Sequence, residues 1–234
     1  MLNAARQFGL DPKTFPPNCV FAPLVSAPLL AALGIPKLNK GFIFSAGIGK
    51  HCALIQTRVG AAFAGDALLL LKDSPIKNYV LFGSCGLIAS PQERDSAALF
   101  CPVKSLARES FSRLLKKQDS QPDYAEPDQT LCQKILALSP AILPATCATV
   151  GSLYLETIYH ADFCRDKVDI VDMECSAFFN AARYCQRQAA ALFYASDHVG
   201  LTDPYLPPDA AADKIMKKNH NIACICLSNL VKSI

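Results

Sequence analysis

Tyr79-Val80-Leu81-Phe82-Gly83-Ser84-Cys85-Gly86 joins an apolar run to a glycine-flanked turn, and that succession decides the fold. Four consecutive apolar residues leave no face for water, so they read as a strand buried on both sides. The same succession recurs outward along the chain. Residues 20–25 lead into a second apolar stretch, 29–33. Residues 41–45 lead into Ala46-Gly47-Ile48-Gly49-Lys50, with a helix predicted over about 51–64. Residues 189–195 end on Ser196-Asp197. Short buried runs between helical stretches predict an α/β fold with helices on both faces of a sheet. Residues 171–187 read as an amphipathic helix, because Met173, Ala177, Phe178, Ala181 and Tyr184 fall in one apolar stripe. A final helix is predicted from residue 211 to the end, carrying Ile215, Ile222, Ile225 and Leu230. Residues 118–128 are polar, hold Pro122 and Pro127, and read as an exposed loop. No composition shift, repeat or low-complexity tract divides the chain. Residues 1–234 are therefore read as one domain, with 1–18 an unplaced N-terminal segment.

Composition narrows the function classes. The 234 residues are 51% hydrophobic and 18% charged, which argues against intrinsic disorder. Lys and Arg number 23 against 20 Asp and Glu. They form no block beyond the pairs Lys116-Lys117 and Lys217-Lys218, so no nucleic-acid partner is expected. The 11 cysteines are odd in number and include no C-x-x-C, which excludes a closed disulfide framework, a redox motif and a zinc ribbon. They read as small buried hydrophobes of a reducing cytoplasm. Cys224 and Cys226 have only His220 close by, too little for a metal clip, and neither a metal nor a cofactor is expected. Residues 18–36 carry no charge but are interrupted by Pro23 and Pro28. They read as a buried strand running into a helix, not a membrane span or leader, and no membrane association is expected.

In open α/β sheets, ligands collect outside the carboxyl ends of the strands, where these turns are expected. The glycines of Ala46-Gly47-Ile48-Gly49-Lys50 could bring backbone N–H groups close to an anion or a ribose oxygen. The stretch is not a Walker A loop, because Phe44 and His51 stand where that motif needs Gly and Ser or Thr. Ser84 offers a hydroxyl, but it follows Gly83 directly, so Gly83-Ser84-Cys85-Gly86 lacks the spacing of a nucleophile elbow. Glu174 reads either as a charge in a first helical turn or as a ligand carboxylate. Asp197 reads either as a cap or loop aspartate or as a site acid.

Taken together, Ser45-Ala46-Gly47-Ile48-Gly49-Lys50, Gly83-Ser84-Cys85-Gly86, Val171-Asp172-Met173-Glu174-Cys175-Ser176-Ala177 and Ala195-Ser196-Asp197 carry a resemblance. Over residues 40–234 the chain resembles the purine nucleoside phosphorylase superfamily. Within it, the hydrolase branch is most similar: the methylthioadenosine/S-adenosylhomocysteine nucleosidases and the related futalosine hydrolases. The resemblance implies a three-layer α/β/α domain around a mixed, partly barrel-like sheet, and a homodimer. It implies a small-molecule purine nucleoside as substrate. It gives Asp197 the role of protonating the purine at N7, and Glu174 and the Met173 backbone that of holding the ribose hydroxyls. It places Ile48 and Ser84 on the ribose side, Ser196 among the substrate-binding residues, and Tyr154 and Leu155 of Gly151-Ser152-Leu153-Tyr154-Leu155 at the base.

These residue types suit glycosidic cleavage. The bond leaves a poor leaving group and an oxocarbenium-like sugar. Protonating the base contributes about 10²–10⁴-fold, and a carboxylate at the ribose stabilises developing positive charge. One departure is visible. The nucleosidases carry glutamates after the first strand, one of which activates water. Here the stretch reads Ala22-Pro23-Leu24-Val25-Ser26-Ala27-Pro28, with Ser26 near that position. A less acidic wall would repel an anionic 5′ group less, which points to a futalosine-type nucleoside and menaquinone synthesis; methylthioadenosine or S-adenosylhomocysteine is the other substrate. A phosphorylase is disfavoured, since phosphate sites recruit arginine and none occurs between Arg6 and Arg58. A non-catalytic nucleoside-binding protein is the third reading.

Overall fold

The computed structural model describes residues 3–88, 99–112, 124–201, 203 and 205–234. In chain order its elements begin with α1 (Ala4–Phe8), a 3-10 turn (Pro12–Thr14), β1 (Asn18–Ala22) and α2 (Ala27–Leu33). Next come β2 (Asn39–Lys40), β3 (Ser45–Ile48), β4 (Ala53–Gln56), α3 (Ala61–Leu70), β5 (Asn78–Leu87) and β6 (Leu99–Arg108). They are followed by β7 (Tyr124–Ala125), α4 (Gln129–Leu136), β8 (Ile142–Val150), α5 (Leu153–Ile158) and α6 (His160–Arg165). The chain ends with β9 (Ile170–Asp172), α7 (Cys175–Tyr184), β10 (Gln188–His198) and α8 (Ala210–Ser233).

Alternation along the strands builds the layers. Cys19 and Phe21, Tyr79 and Leu81, and Ala189, Ala191 and Phe193 point to one face, where α1, α3 and α7 cover them. Val20 and Ala22, Val80 and Phe82, and Ala190 and Leu192 point to the other, under α2, α4 and α8. Strands covered on both faces need apolar side chains throughout, and all of β1 is buried. Strand β5 pairs in parallel with β1 on one side and β10 on the other. Beyond β1, β5 pairs with β9, and β9–β8–β6–β10 returns to β5 as a closed ring of five strands. The sheet is thus mixed and partly a barrel, flanked by helices, as the resemblance implies.

Three local expectations are corrected. The helix predicted over 51–64 is instead the second strand of a hairpin, and helix begins only at Ala61. Ala53–Gln56 pairs in parallel with β1, from Cys19↔Ala53 to Ala22↔Gln56, and that distant partner overrides local pattern. The glycines at 47 and 49 form no binding loop. A Cβ on Gly47 would meet Ile35 Cγ2 at 2.5 Å, and one on Gly49 would meet the Leu33 carbonyl at 2.6 Å. They are glycines so that the hairpin can close against the end of α2. Gly83-Ser84-Cys85-Gly86 is not a turn either, since β5 runs on to Leu87.

The N-terminal segment now has a place. Phe8 and Phe15 enter the same core as Phe21 and Phe44, and Phe8 stacks on Phe44 at 5.2 Å between ring centroids. Of the loop read over 118–128, residues 118–123 lie outside the described residues, as does the Lys116-Lys117 pair. Tyr124 and Ala125 pair with β6, and Asp128 caps α4 through the Leu131 N–H. All cysteines except Cys164 and Cys185 are buried, and none is disulfide-bonded. Among the described residues, no helix is long and apolar enough to cross a membrane.

Candidate active site

The carboxyl ends of β5, β9 and β10 open into a cavity of about 560 Å³, roofed by α8 and the start of α5. Of the residues singled out from the sequence, Ser84, Met173, Glu174, Ser196 and Asp197 line this one cavity. Ile48, Tyr154 and Leu155 do not.

The reason for Ile48 is register. Ile48 pairs with Ala53, Ala53 with Cys19, and Cys19 with Tyr79 at the foot of β5. Ser84 stands five positions further along that strand, roughly 17 Å away at 3.3 Å per residue. Tyr154 and Leu155 are turned away by helix geometry. On α5, Leu153 and Glu156 are a turn apart and line the cavity, so the residues between them face elsewhere. Tyr154 is 65% exposed. Leu155 joins Tyr159 and Phe163 in a second cavity of about 270 Å³. Ser26 is also absent from the wall: it caps α2 through the Leu29 N–H and meets His220 Nε2 at 3.0 Å. Pro23 and Leu24 stand at the cavity instead.

A bulge positions Asp197. β10 keeps register with β5 up to Ala195↔Cys85, then resumes at Asp197↔Gly86, leaving Ser196 as the extra residue. A bulge re-aims the side chains that follow it, so Ser196 and Asp197 both reach the cavity. Ser196 presents its hydroxyl to Asp197 Oδ1 and to the Cys85 carbonyl. Gly86 leaves room for the acid, because a Cβ there would meet Val199 Cγ2 at 2.8 Å and Asp197 Oδ2 at 3.4 Å.

Glu174 is set by two contacts distant in sequence. Its Oε1 accepts the Gly60 N–H at 2.6 Å across 114 residues. Gly60 holds φ at 122°, a conformation that favours glycine. From below, Asp172 Oδ2 accepts the N–H groups of Glu174 and Cys175 at 2.8 and 2.6 Å, and so caps α7. Asp172 Oδ1 accepts Thr149 Oγ1 at 2.7 Å. Thr149 in turn takes the Ser176 N–H, and Ser176 donates to Glu109 at 2.8 Å. This buried network fixes the start of α7 and with it Glu174.

Sequence reasoning missed Asp172 as the cap and Glu156 altogether. The signal for Glu156 was its spacing of three from Leu153. Burial pushes Glu156 up to about 8, with Asp197 and Asp172 adding like charge. Burial likewise pushes Glu174 up to about 8, with Asp172 adding and the Gly60 N–H opposing. Asp172 is pushed up to about 6 by burial, against its hydrogen bonds. Cys147, Asp172 and Cys175 place ligand-type atoms within 4.8 Å. Burial holds both thiols protonated and Asp172 is already hydrogen-bonded, so the cluster suits structure better than a metal.

A pH dependence of stability follows. For these acids the folded state keeps protons that the unfolded chain sheds above its ordinary range, so stability falls as pH climbs from about 4.5 toward 8. Glu156→Gln removes one such group. At about pH 9 the variant should melt roughly 2–4 °C above the parent, and at about pH 4 the two should nearly coincide. Thermal melts across pH check this, and a gap independent of pH contradicts it.

A sequence model described as the Phosphorylase superfamily matches residues 21–232. No curated protein matches. Among solved structures, an AMP nucleosidase from Bacteroides thetaiotaomicron superposes with a TM-score of 0.73 at 16% identity, covering 94% of this chain and 93% of that one. A uridine phosphorylase from Vibrio fischeri gives 0.76 at 17% identity, covering 96% and 95%. A 5′-methylthioadenosine/S-adenosylhomocysteine nucleosidase from Campylobacter jejuni gives 0.74 at 12% identity, covering 93% and 99%. At these identities the likeness is one of fold.

Proposed function

Since the chain belongs to the phosphorylase superfamily, we propose that its cavity hydrolyses the N-glycosidic bond of a 5′-modified purine nucleoside. Solved structures named as nucleosidases and as a phosphorylase share the fold, so the choice of acceptor rests on the site. One observation carries it. Glu156, Asp172, Glu174, Asp197 and Asp203 line the cavity, and no Lys or Arg does among the described residues. Phosphate is an anion that phosphorolysis must bind, usually through arginine, and the described lining offers it neither Lys nor Arg. Arg58, next to the lining residue Val59, instead sets its guanidinium over the Phe63 ring, 6.0 Å from the centroid. Water has no such requirement.

In this reading Asp197 delivers a proton to N7, and the electron pair of the breaking bond is drawn onto a neutral purine. Glu174, with the Met173 backbone, holds the ribose hydroxyls and favours the positive charge that develops on the sugar. Ser84 stands on the ribose side and Ser196 orients the acid. The 5′ end of the nucleoside would run toward Leu206, Ile215 and Met216, which line the apolar part of the wall. An uncharged thioether suits that wall better than a benzoate, which would find no Lys or Arg among the described lining residues. The apolar wall and the lack of Lys and Arg in the described lining thus outweigh the charge missing from the loop after β1, and methylthioadenosine is favoured over a futalosine-type nucleoside.

Chromatographic detection of base release, with and without phosphate, tests both points. Adenine should appear without phosphate, and added phosphate should leave the rate unchanged. Catalytic efficiency for methylthioadenosine should exceed that for aminodeoxyfutalosine by at least about tenfold, the scale of one unpaired charge in a closed site. Release only with phosphate makes the protein a phosphorylase. No release with either leaves only binding.

A further inference from the structure

We propose that Cys101 and Cys132 form a site of two-electron oxidation, a thiol pair that a peroxide converts into a disulfide tying α4 to β6. Cys101 Sγ and Cys132 Sγ stand 3.4 Å apart, although the residues are 31 positions apart in sequence. Cys101 also donates to the Cys132 carbonyl at 3.9 Å. Both side chains are buried in the core between α4 and β6, with Leu99, Leu131 and Ile135 in the same cluster. The fold creates this proximity, so the absence of C-x-x-C does not bear on it. Cys101 lies on β6, one residue past the Phe100↔Phe193 pairing with β10. α4 lies across β6 and β10, and its start is held twice: Asp128 caps it through the Leu131 N–H, and the Asp128 N–H donates to the Ala189 carbonyl. Cys132 follows one helical turn later and faces inward onto Cys101.

The surroundings also set this pair apart from the other buried thiols. A thiolate, not a thiol, attacks an oxidant. With Cys101 as donor, its hydrogen bond favours the Cys132 thiolate, against burial and the like charge of Asp128. Burial pushes the Cys147 and Cys175 thiols up instead, and the Asp172 carboxyl adds like charge to both. Access comes through α4. Gln129, Thr130, Gln133 and Lys134 are exposed on it, so one short surface helix stands between Cys132 and water. Local opening of such a helix admits a small oxidant.

The balance closes with one peroxide. The Cys132 thiolate attacks a peroxide oxygen: an S–O bond forms, the O–O bond breaks, and the departing hydroxide takes up the thiol's proton as water. Cys101 then attacks the Cys132 sulfur: the S–S bond forms, the S–O bond breaks, and the second hydroxide leaves with the Cys101 proton as water. Two thiols lose two electrons and two protons, and the peroxide becomes two waters. Bonded sulfurs stand about 2.05 Å apart, so closure draws this pair roughly 1.4 Å together. Neither cysteine lines the cavity. The bond acts on stability, through the loop that it closes in the unfolded chain.

The test is mass spectrometry of unreduced tryptic digests, with free thiols alkylated, on the parent, Cys101→Ala and Cys132→Ala before and after hydrogen peroxide. Trypsin releases Cys101 in residues 95–104 and Cys132 in residues 118–134, each with a single cysteine, so a link between them is unambiguous. Peroxide should join these two peptides in the parent with loss of two hydrogens, a dithiol reductant should part them, and neither variant should yield the pair. The oxidised parent should melt at least about 4 °C above the reduced parent, and both variants should lose that gap. Exposed Cys164 and half-buried Cys185 serve as comparisons within the chain. Cys101 and Cys132 both recovered alkylated while Cys164 is oxidised overturn the proposal, as does Cys132 linked to any other thiol. A linked pair without a higher melting midpoint overturns it too, because the fold then does not accommodate the bond. If an alanine variant does not fold, the digests and melts of the parent decide. No nucleoside enters the experiment, so its outcome is separate from that of the hydrolase reading.

Discussion

Asp197→Asn is expected to lower turnover by at least ~10² while purine binding persists. The two parts of that result have separate causes. Asparagine keeps the size of the side chain and an oxygen for the Ser196 hydroxyl, so the bulge at Ser196 and the space beside Gly86 are undisturbed. What it lacks is a proton that can be handed to N7. Without that transfer the purine must leave as an anion, and the barrier rises by the amount that general acid catalysis had removed. Single-turnover rates and equilibrium binding, measured on one preparation, separate the two effects. Turnover at the parent level removes Asp197 from the role of acid. Loss of binding along with turnover makes it a base contact instead.

The layers were legible in the sequence because they depend on local periodicity. Tyr79 to Phe82 and Ala189 to Phe193 are buried on both faces and show it in their composition. The stripe of Ala177, Phe178, Ala181 and Tyr184 likewise announced α7, although the helix predicted from residue 171 begins only at Cys175, because Val171 and Asp172 are drawn into β9. What failed depends on partners distant in sequence. Ala53-Leu54-Ile55-Gln56 is ambiguous alone and becomes a strand because β1 offers a parallel edge. Gly47 and Gly49 look able to bring backbone N–H groups to an anion or a ribose oxygen but serve close packing against Ile35 and Leu33.

The site divides in the same way. Met173-Glu174 and Ser196-Asp197 were recognisable as motifs, yet their geometry was not. The bulge that turns Asp197 inward leaves no mark in Ala195-Ser196-Asp197 itself. On α5 the motif was found but its rotation was not. Successive helical residues differ by about 100° in direction, so Tyr154 and Leu155 turn away from the cavity that Leu153 and Glu156 line.

Glu174→Gln is expected to cost roughly 2–4 kcal/mol of transition-state stabilisation, a fall of about 30- to 1,000-fold in kcat/KM. Gln keeps an oxygen for the Gly60 N–H and leaves the Asp172 cap on α7 intact, so the fold and the clamp geometry should survive. What disappears is the capacity to carry negative charge. Burial pushes Glu174 up to about 8, so the Gly60 N–H only partly compensates its ionised form. An oxocarbenium-like sugar supplies that compensation only as the bond breaks, so charge on Glu174 is worth more in the transition state than in the ground state. The loss should therefore fall mainly on kcat, with KM little changed. Steady-state kinetics on methylthioadenosine, with a thermal melt to confirm the fold, measures it. A loss confined to KM would reduce Glu174 to a neutral hydrogen-bonding contact, and unchanged efficiency would remove it from the site.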